Sequence, residues 1–255
     1  LAYSALGRLT TGATRLAGAA IAWRAIEPLL AAGGRAPAAA PPGMALAAPS
    51  PSSPAATLRG VKYWPPRRAH AVLDGCDLTV ERGARILLRG NSGTGKSTLA
   101  AVVAGLRRPE AGLVLAGGLD LVSVGERGWR RRVACAPDFH DNHMFSAPLA
   151  FNLLLGRNWP PHPKDLAAAE GLCRELGLGD VLGRMPGGLF EMVGETGWQL
   201  SHGERCRVYL ARALLQCAPL VVLDESLAAL DPGTLQIAIT CIERRADAAL
   251  VIAHP

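Results

Sequence analysis

The chain has 255 residues, 49% hydrophobic and 19% charged, with a formal net charge of +6, an ordinary globular composition for one large domain with or without extensions. No apolar run reaches the ~18 residues of a membrane span, and no signal peptide is visible. Six scattered cysteines (Cys76, Cys135, Cys173, Cys206, Cys217, Cys241) without a C-x-x-C pair exclude a disulfide framework or zinc centre and read as reduced, cytosolic packing thiols.

Taken in chain order, residues 1–34 read as a helix and its end. Leu6, Leu9, Ala13, Leu16, Ala20, Trp23 and Leu30 recur at spacings of three and four and form one apolar stripe. This first part carries much of the charge: residues 1–60 hold Arg8, Arg15, Arg24, Arg35 and Arg59 against Glu27. That bias favours an anionic membrane surface over a nucleic-acid groove, with a merely solvated basic segment as the plain alternative. Residues 35–57 are rich in Ala, Pro and Ser and read as a flexible linker. The chain begins at Leu1 and ends at Pro255, and both ends read as cuts in a longer protein.

From Leu58 the pattern changes. The stretches 71–80 and 84–90 read as strands joined by a tight turn at Glu81-Arg82-Gly83. A helix is expected from Ser97 to about Leu106, then strands over 112–118 and 129–137. Residues 139–197 carry helical patches broken by Gly and Pro. A helix over 201–216 leads to the strand 219–225, whose continuous apolar run indicates burial on both faces. A helix over 232–246 and a strand from 248 follow. This alternation implies an α/β fold with a parallel-sheet core.

The stretch 90-GNSGTGKST-98 lies between a strand and a helix, the context that gives G-x4-G-K-S its meaning as a phosphate-binding loop. Gly90, Gly93 and Gly95, with Asn91, Ser92, Thr94 and Thr98, let the backbone turn its N–H groups toward phosphate oxygens. The helix start adds its positive dipole end. Lys96 supplies a point charge for the β- and γ-phosphates, and Ser97 a ligand for Mg²⁺. Asp224 and Glu225 end the buried strand at its C-terminal edge, where ligands bind in such sheets. Asp224 suits holding Mg²⁺, and Glu225 suits polarising an attacking water. In 200-LSHGE-204, Ser201 and Glu204 form a capping box. The same turn, with Gly203, offers either a second anion site or only a capped helix.

Together these features resemble the nucleotide-binding domain of an ATP-binding cassette (ABC) transporter over residues 58–255. The phosphate loop, the signature 200–204, the acidic strand 220–225, Asp231 and a switch histidine at His254 occur in family order. The resemblance implies a P-loop NTPase fold with a small antiparallel β subdomain and a helical subdomain over about 139–197, ending here just after His254. It implies ATP and Mg²⁺ as cofactors and hydrolysis as the activity, with Lys96, Glu225 and His254 catalytic. It also implies head-to-tail pairing with a second cassette, in a homo- or heterodimer. There Ser201 and Gly203 would meet the ATP on the partner's phosphate loop. Tyr63 or Trp64 would stack on adenine, or serve only as strand packing. Residues 1–34 resemble the end of the last transmembrane-domain helix of an exporter, implying a fused membrane domain at the cytoplasmic face of a cell membrane; no nucleic-acid partner is expected.

Three departures stand out. Asp138 occupies the place of a family glutamine that ligates Mg²⁺; it is expected to keep metal binding and to slow or retune coupling. His202 and Glu204 replace the common Gly and Gln; little loss of function is expected, with added pH sensitivity as the change His202 would bring. The third is the early end, which would leave apolar surface uncovered. Phe145, Phe151 and Asn152 form either a docking strip for the membrane domain or packing. Two other readings remain: a soluble ABC ATPase in DNA repair or translation, and a regulatory cassette that binds ATP with little hydrolysis.

Overall fold

The computed structural model describes residues 12, 15, 16, 18–20, 23, 24, 52–65 and 70–253. The chain divides into two compact units, Leu1–Ala39 and Ala40–Pro255. In the first, the described residues are all helical and exposed, Leu16 and Trp23 included. The remainder of the expected helix, and most of the linker, lie outside the described residues. No described helix is long and apolar enough to cross a membrane. The linker was expected to run to residue 57, but Ala55 and Ala56 are already buried, and the first strand starts at Ala56.

The second unit holds two main sheets. The antiparallel one has the order β2-β1-β4-β5: β1 is Ala56–Tyr63, β2 Leu73–Val80, β4 Ala111–Ala116 and β5 Leu119–Asp120. The parallel one has the order β3-β10-β9-β6: β3 is Arg85–Arg89, β10 Ala248–Ala253, β9 Leu220–Asp224 and β6 Val133–Ala136. The turn after β2 is present, closed by the Ala84 N–H donating to Glu81 O (3.1 Å). The strands that it joins belong to different sheets, because β2 pairs with β1 and β3 pairs with β10.

β9 sits inside the parallel sheet and is buried at every position. Val221 and Leu223 face a core shared with the helical region, while Leu220 and Val222 face a core shared with the antiparallel sheet. Strand periodicity thus divides one apolar run between two cores. Helix α1 (Lys96–Val103) packs Leu99, Val102 and Val103 into the second core.

Helix α2 (Leu121–Arg130) is interrupted at Gly125 and corrects the expected strand over 129–137. Trp129 and Arg130 end this helix, and only residues 133–136 form the strand. The Trp129 indole N–H donates to Val103 O (3.1 Å), so the ring anchors α2 to α1. A run of arginines after an aromatic residue carries no periodicity that would separate a helix end from a strand start.

The helical region comprises α3 (Leu149–Leu153), α4 (Pro163–Glu175), α5 (Gly179–Arg184) and α6 (His202–Leu215), with a two-stranded sheet of β7 (Ala147–Pro148) and β8 (Met192–Val193). Helix α7 (Pro232–Arg245) precedes β10. All six cysteines are free thiols.

Asn152, for which docking and packing were both open, is wholly buried. Its Oδ1 accepts from Phe145 N–H (2.9 Å), its Nδ2 donates to Phe145 O (3.0 Å), and Arg212 Nη2 also donates to Oδ1 (3.3 Å). It is a polar staple rather than a surface residue. Phe145 is half exposed and meets Phe151 edge to face. Removing the amide in Asn152→Ala leaves buried groups unpaired. The expected loss is about 2–3 kcal/mol, read by urea unfolding; a loss below about 0.5 kcal/mol, the level of a neutral surface change, contradicts this.

Candidate active site

Parallel register brings the candidate residues to one edge. Ala253 pairs with Arg89, Ile252 with Asp224, and Ala136 with Leu223. The loops that leave these strand ends are the phosphate loop after β3, the segment around Asp138 after β6, and Glu225 after β9. His254 follows β10 and lies outside the described residues.

Gly93 and Gly95 both adopt positive φ (80° and 91°). At Gly95 the requirement is steric as well: a Cβ there would stand 2.9 Å from Val72 Cγ1 and 3.0 Å from Val72 O. Gly95 is also the N-cap of α1 and supplies no side-chain cap bond. The first turn of α1 therefore presents N–H groups at the positive end of the helix dipole without a capping oxygen. Lys96 is buried, and its Nζ donates to Gly90 O (2.7 Å) and Asn91 O (2.8 Å). Thr94 Oγ1 donates to Asn91 O (2.9 Å), closing the loop on itself.

Ser97 Oγ donates to Asp224 Oδ1 at 3.2 Å, linking α1 to the end of β9. Asp224 is buried, and desolvation is the main cause that raises its pKa above the usual carboxylate value. The Ser97 hydrogen bond opposes this, the charges of Glu225 and Asp138 add to it, and Lys96 opposes it. Among the described residues, no group of three His, Cys, Asp or Glu side chains converges as a metal cage. A hydroxyl beside one carboxylate is nevertheless a fitting partial donor set for Mg²⁺, which binds through few protein oxygens together with substrate phosphates and water.

The next residue, Glu225, has φ 51°. That conformation is uncommon for a residue with a side chain and costs of order 1–3 kcal/mol. It is held in place by its N–H donating to Ile252 O (3.1 Å). Ser226, buried and not singled out from sequence, donates from Oγ to Ala136 O (2.9 Å) and Asp224 O (3.2 Å). It ties the end of β9 to the end of β6. A lone serine after an acidic pair gives no sequence signal for that role.

One cavity of about 300 Å³ gathers Ser92, Gly93, Gly95, Lys96, Ser97, Thr98 and Glu225, together with Pro65, Val72 and Arg107. The last three went unrecognised in the sequence. Neither Tyr63 nor Trp64 borders the cavity. Tyr63 is a core residue, because it shares the inward phase of β1 with Val61. Trp64 follows in the outward phase and is 36% exposed.

The remaining candidates lie outside the cavity lining. Asp138 Oδ1 accepts from His140 N–H (2.9 Å) and caps a short 3-10 turn, Phe139–Asp141. Ser201 and Glu204 form the expected capping box. Ser201 Oγ accepts from Glu204 N–H (3.3 Å), and Glu204 Oε2 accepts from Ser201 N–H (2.7 Å). Glu204 also pairs with Arg184 (3.2 Å). Asp231 Oδ1 accepts from the N–H groups of Gly233 and Thr234 (both 3.1 Å) and is the N-cap of α7, a role that the sequence reading did not assign. The start of α6 is joined to the Asp138 segment: His202 stacks on Phe139 with centroids 3.8 Å apart, and Arg205 lies 4.8 Å over the same ring.

A family model described as "ABC transporter" matches residues 73–228. The "Mycobactin import ATP-binding/permease protein IrtB" of Mycolicibacterium thermoresistibile is 36% identical over 185 residues, covering 72% of this chain and 31% of that protein. The "ATP-dependent lipid A-core flippase" of Chromohalobacter salexigens is 36% identical over 186 residues, covering 72% of this chain and 31% of that protein. The chain thus spans about a third of the length of these relatives. Among solved structures, a bacterial Atm1-family ABC exporter with ATP bound aligns with a TM-score of 0.69 at 27% identity, covering 79% of this chain and 34% of that one.

Because burial raises Asp224, its folded-state pKa lies above the unfolded one. Its share of stability is complete below the ordinary carboxylate range and is lost as pH rises through the folded value. In EDTA without nucleotide, Asp224→Asn is expected to unfold at higher denaturant than the parent at neutral pH, with a flatter dependence on pH. A less stable variant, or an unchanged slope, contradicts the burial argument.

Proposed function

This chain belongs to the ABC transporter family, and on that premise we propose that its second unit binds and hydrolyses MgATP to drive transport. The observation that carries the reading is the Ser97–Asp224 contact beside a cavity that Lys96 and Glu225 both line. Residues 1–34 are then the end of the last helix of a membrane domain in the same protein, and 35–55 the linker. The working location is the cytoplasmic face of a cell membrane. The exporter neighbour and the flippase relative support export as the direction. The import permease shares the same cassette, so direction is set by the membrane helices rather than by this site.

In this reading the loop amides and Lys96 bind the β- and γ-phosphates, and the buried ammonium adds charge where phosphoryl oxygens become more negative. Ser97 and Asp224 hold Mg²⁺, with Asp138 as a further carboxylate near Asp224. Bound Mg²⁺ would neutralise charge on the phosphate oxygens. Glu225 accepts a hydrogen bond from the attacking water and takes its proton, and His254 helps to place that water. Ser226 keeps Glu225 in register with Asp224 by fixing the backbone between β9 and β6.

Ser201, Gly203 and the start of α6 then act on a second cassette, completing the site of a partner chain by contact with its γ-phosphate. Their position away from this chain's own cavity supports that division of labour. Asp231, besides capping α7, lies in the segment that follows the acidic strand and faces the same partner.

Gly203 offers a direct test, because a Cβ at this position meets only Ala229 O at 3.7 Å, an ordinary contact. Gly203→Asp should therefore fold. It places a negative charge where the partner's γ-phosphate would sit. In the full-length protein, MgATP turnover should fall by about 10²-fold or more, while nucleotide affinity stays within about twofold, since one 1.4 kcal/mol step would be tenfold. Turnover near the parent level would remove the paired-site reading.

A further inference from the structure

We infer that Arg184 is a positioning residue of the paired site. It holds the Glu204 carboxylate and offsets its charge, so that the turn at Ser201 and Gly203 can receive the partner's polyphosphate. This rests on the paired-site reading above and adds to it a residue from a different helix.

Glu204 puts a carboxylate in an unfavourable place. A capping box is completed by Glu or Gln alike, so the cap itself does not call for a negative charge. In the same turn, Ser201 and Gly203 are assigned to the γ-phosphate of a second cassette, and a carboxylate beside an incoming polyanion repels it. Glu204 cannot swing away without breaking the cap. Its Oε2 accepts from Ser201 N–H (2.7 Å), and its own N–H donates to Ser201 Oγ (3.3 Å). Its side chain is only 15% exposed, so water and salt screen the charge poorly.

Arg184 meets that charge. Its Nη2 stands 3.2 Å from Glu204 Oε1, the oxygen that the cap leaves over. Arg184 ends α5, and the next residue, Met185, is buried with its N–H donating to Val181 O (3.2 Å), which fixes the backbone from which the guanidinium extends. The other arginines at the start of α6 are directed elsewhere. Arg205 lies over the Phe139 ring. Arg207 donates to Gly203 O (3.2 Å), Gly177 O (2.7 Å) and Leu176 O (3.3 Å). Arg184 is the more exposed partner of its ion pair, at 63%. Such a pair contributes little to folding; its effect is on the field that the partner's nucleotide meets.

The test is MgATP turnover and nucleotide affinity of the full-length protein in a double-variant series. Arg184→Gln should lower turnover at saturating MgATP about tenfold and leave affinity within about twofold, because the chain's own phosphate loop is untouched. Arg184→Lys, which keeps the charge, should retain most of the turnover. Adding Glu204→Gln to Arg184→Gln should restore most of what was lost, since the uncompensated charge is gone while the cap remains. If Arg184 served only to bolt α5 to α6, the double variant would stay as slow as Arg184→Gln, because either substitution breaks the ion pair. That result would overturn the proposal, as would parent-level turnover in Arg184→Gln. Gly203→Asp separates the two levels. If it loses turnover while Arg184→Gln does not, this proposal alone falls; if it keeps turnover, the paired-site reading falls and this proposal with it.

Discussion

Parallel pairing of β3, β10, β9 and β6 fixes where every reactive group can stand. The strands run in one direction with Arg89, Ala253, Asp224 and Ala136 at the same end. Each loop that carries chemistry therefore leaves from one edge, at a strand spacing of about 5 Å. β9 holds this arrangement because it is buried on both faces. Burying a Val or Leu side chain contributes about 1.5–3 kcal/mol. Its alternating side chains join the core under the helical region to the core under the antiparallel sheet. A slip of one residue in β9 would exchange the two sets and move Asp224 away from Ser97.

The same strand carries costs that its packing offsets. Asp224 is taken out of water beside two other carboxylates, and Glu225 adopts a left-handed conformation without being a glycine. Two backbone-directed bonds, from Glu225 N–H to Ile252 O and from Ser226 Oγ to Ala136 O, hold the turn against both neighbouring strands. Cost at a strand end, met by support from both sides, is what a site that binds a charged ligand requires. The start of α6 follows another logic. Its capping box pairs the N–H groups of Ser201 and Glu204, and the Phe139–His202 stack links it to the segment after β6. A shift of α6 toward a partner would thus be felt at Asp138.

Much of this was legible in the sequence, for identifiable reasons. The phosphate loop and the capping box are local: their glycines, lysine and Ser-x-x-Glu spacing work within a few residues, so reading them needs no tertiary knowledge. The apolar run of β9 reveals its burial for the same reason. Two open alternatives and one misplaced strand share the opposite cause. Docking and packing stay equally open for Asn152 in the sequence, because its partners Phe145 and Arg212 come from other segments. Tyr63 and Trp64 stay interchangeable in the sequence as base platform or strand packing, because two adjacent aromatics hide which one faces inward. Residues 129–132 were read as a strand because the contact that fixes Trp129 is with Val103. Ser226 gave no sequence signal, since it acts through carbonyls, one of them on a distant strand.

The central claim is that this edge of the sheet hydrolyses ATP, with Glu225 as the base. The most direct measurement is MgATP turnover by the full-length protein in membranes, beside its Glu225→Gln variant, with nucleotide binding followed in both. The account predicts that the parent hydrolyses ATP and that the variant binds it but turns over about 10²–10⁴-fold more slowly, the range of a lost general base. If parent and variant both bind ATP and neither hydrolyses it, the claim is contradicted, and the cassette binds nucleotide without working as a motor.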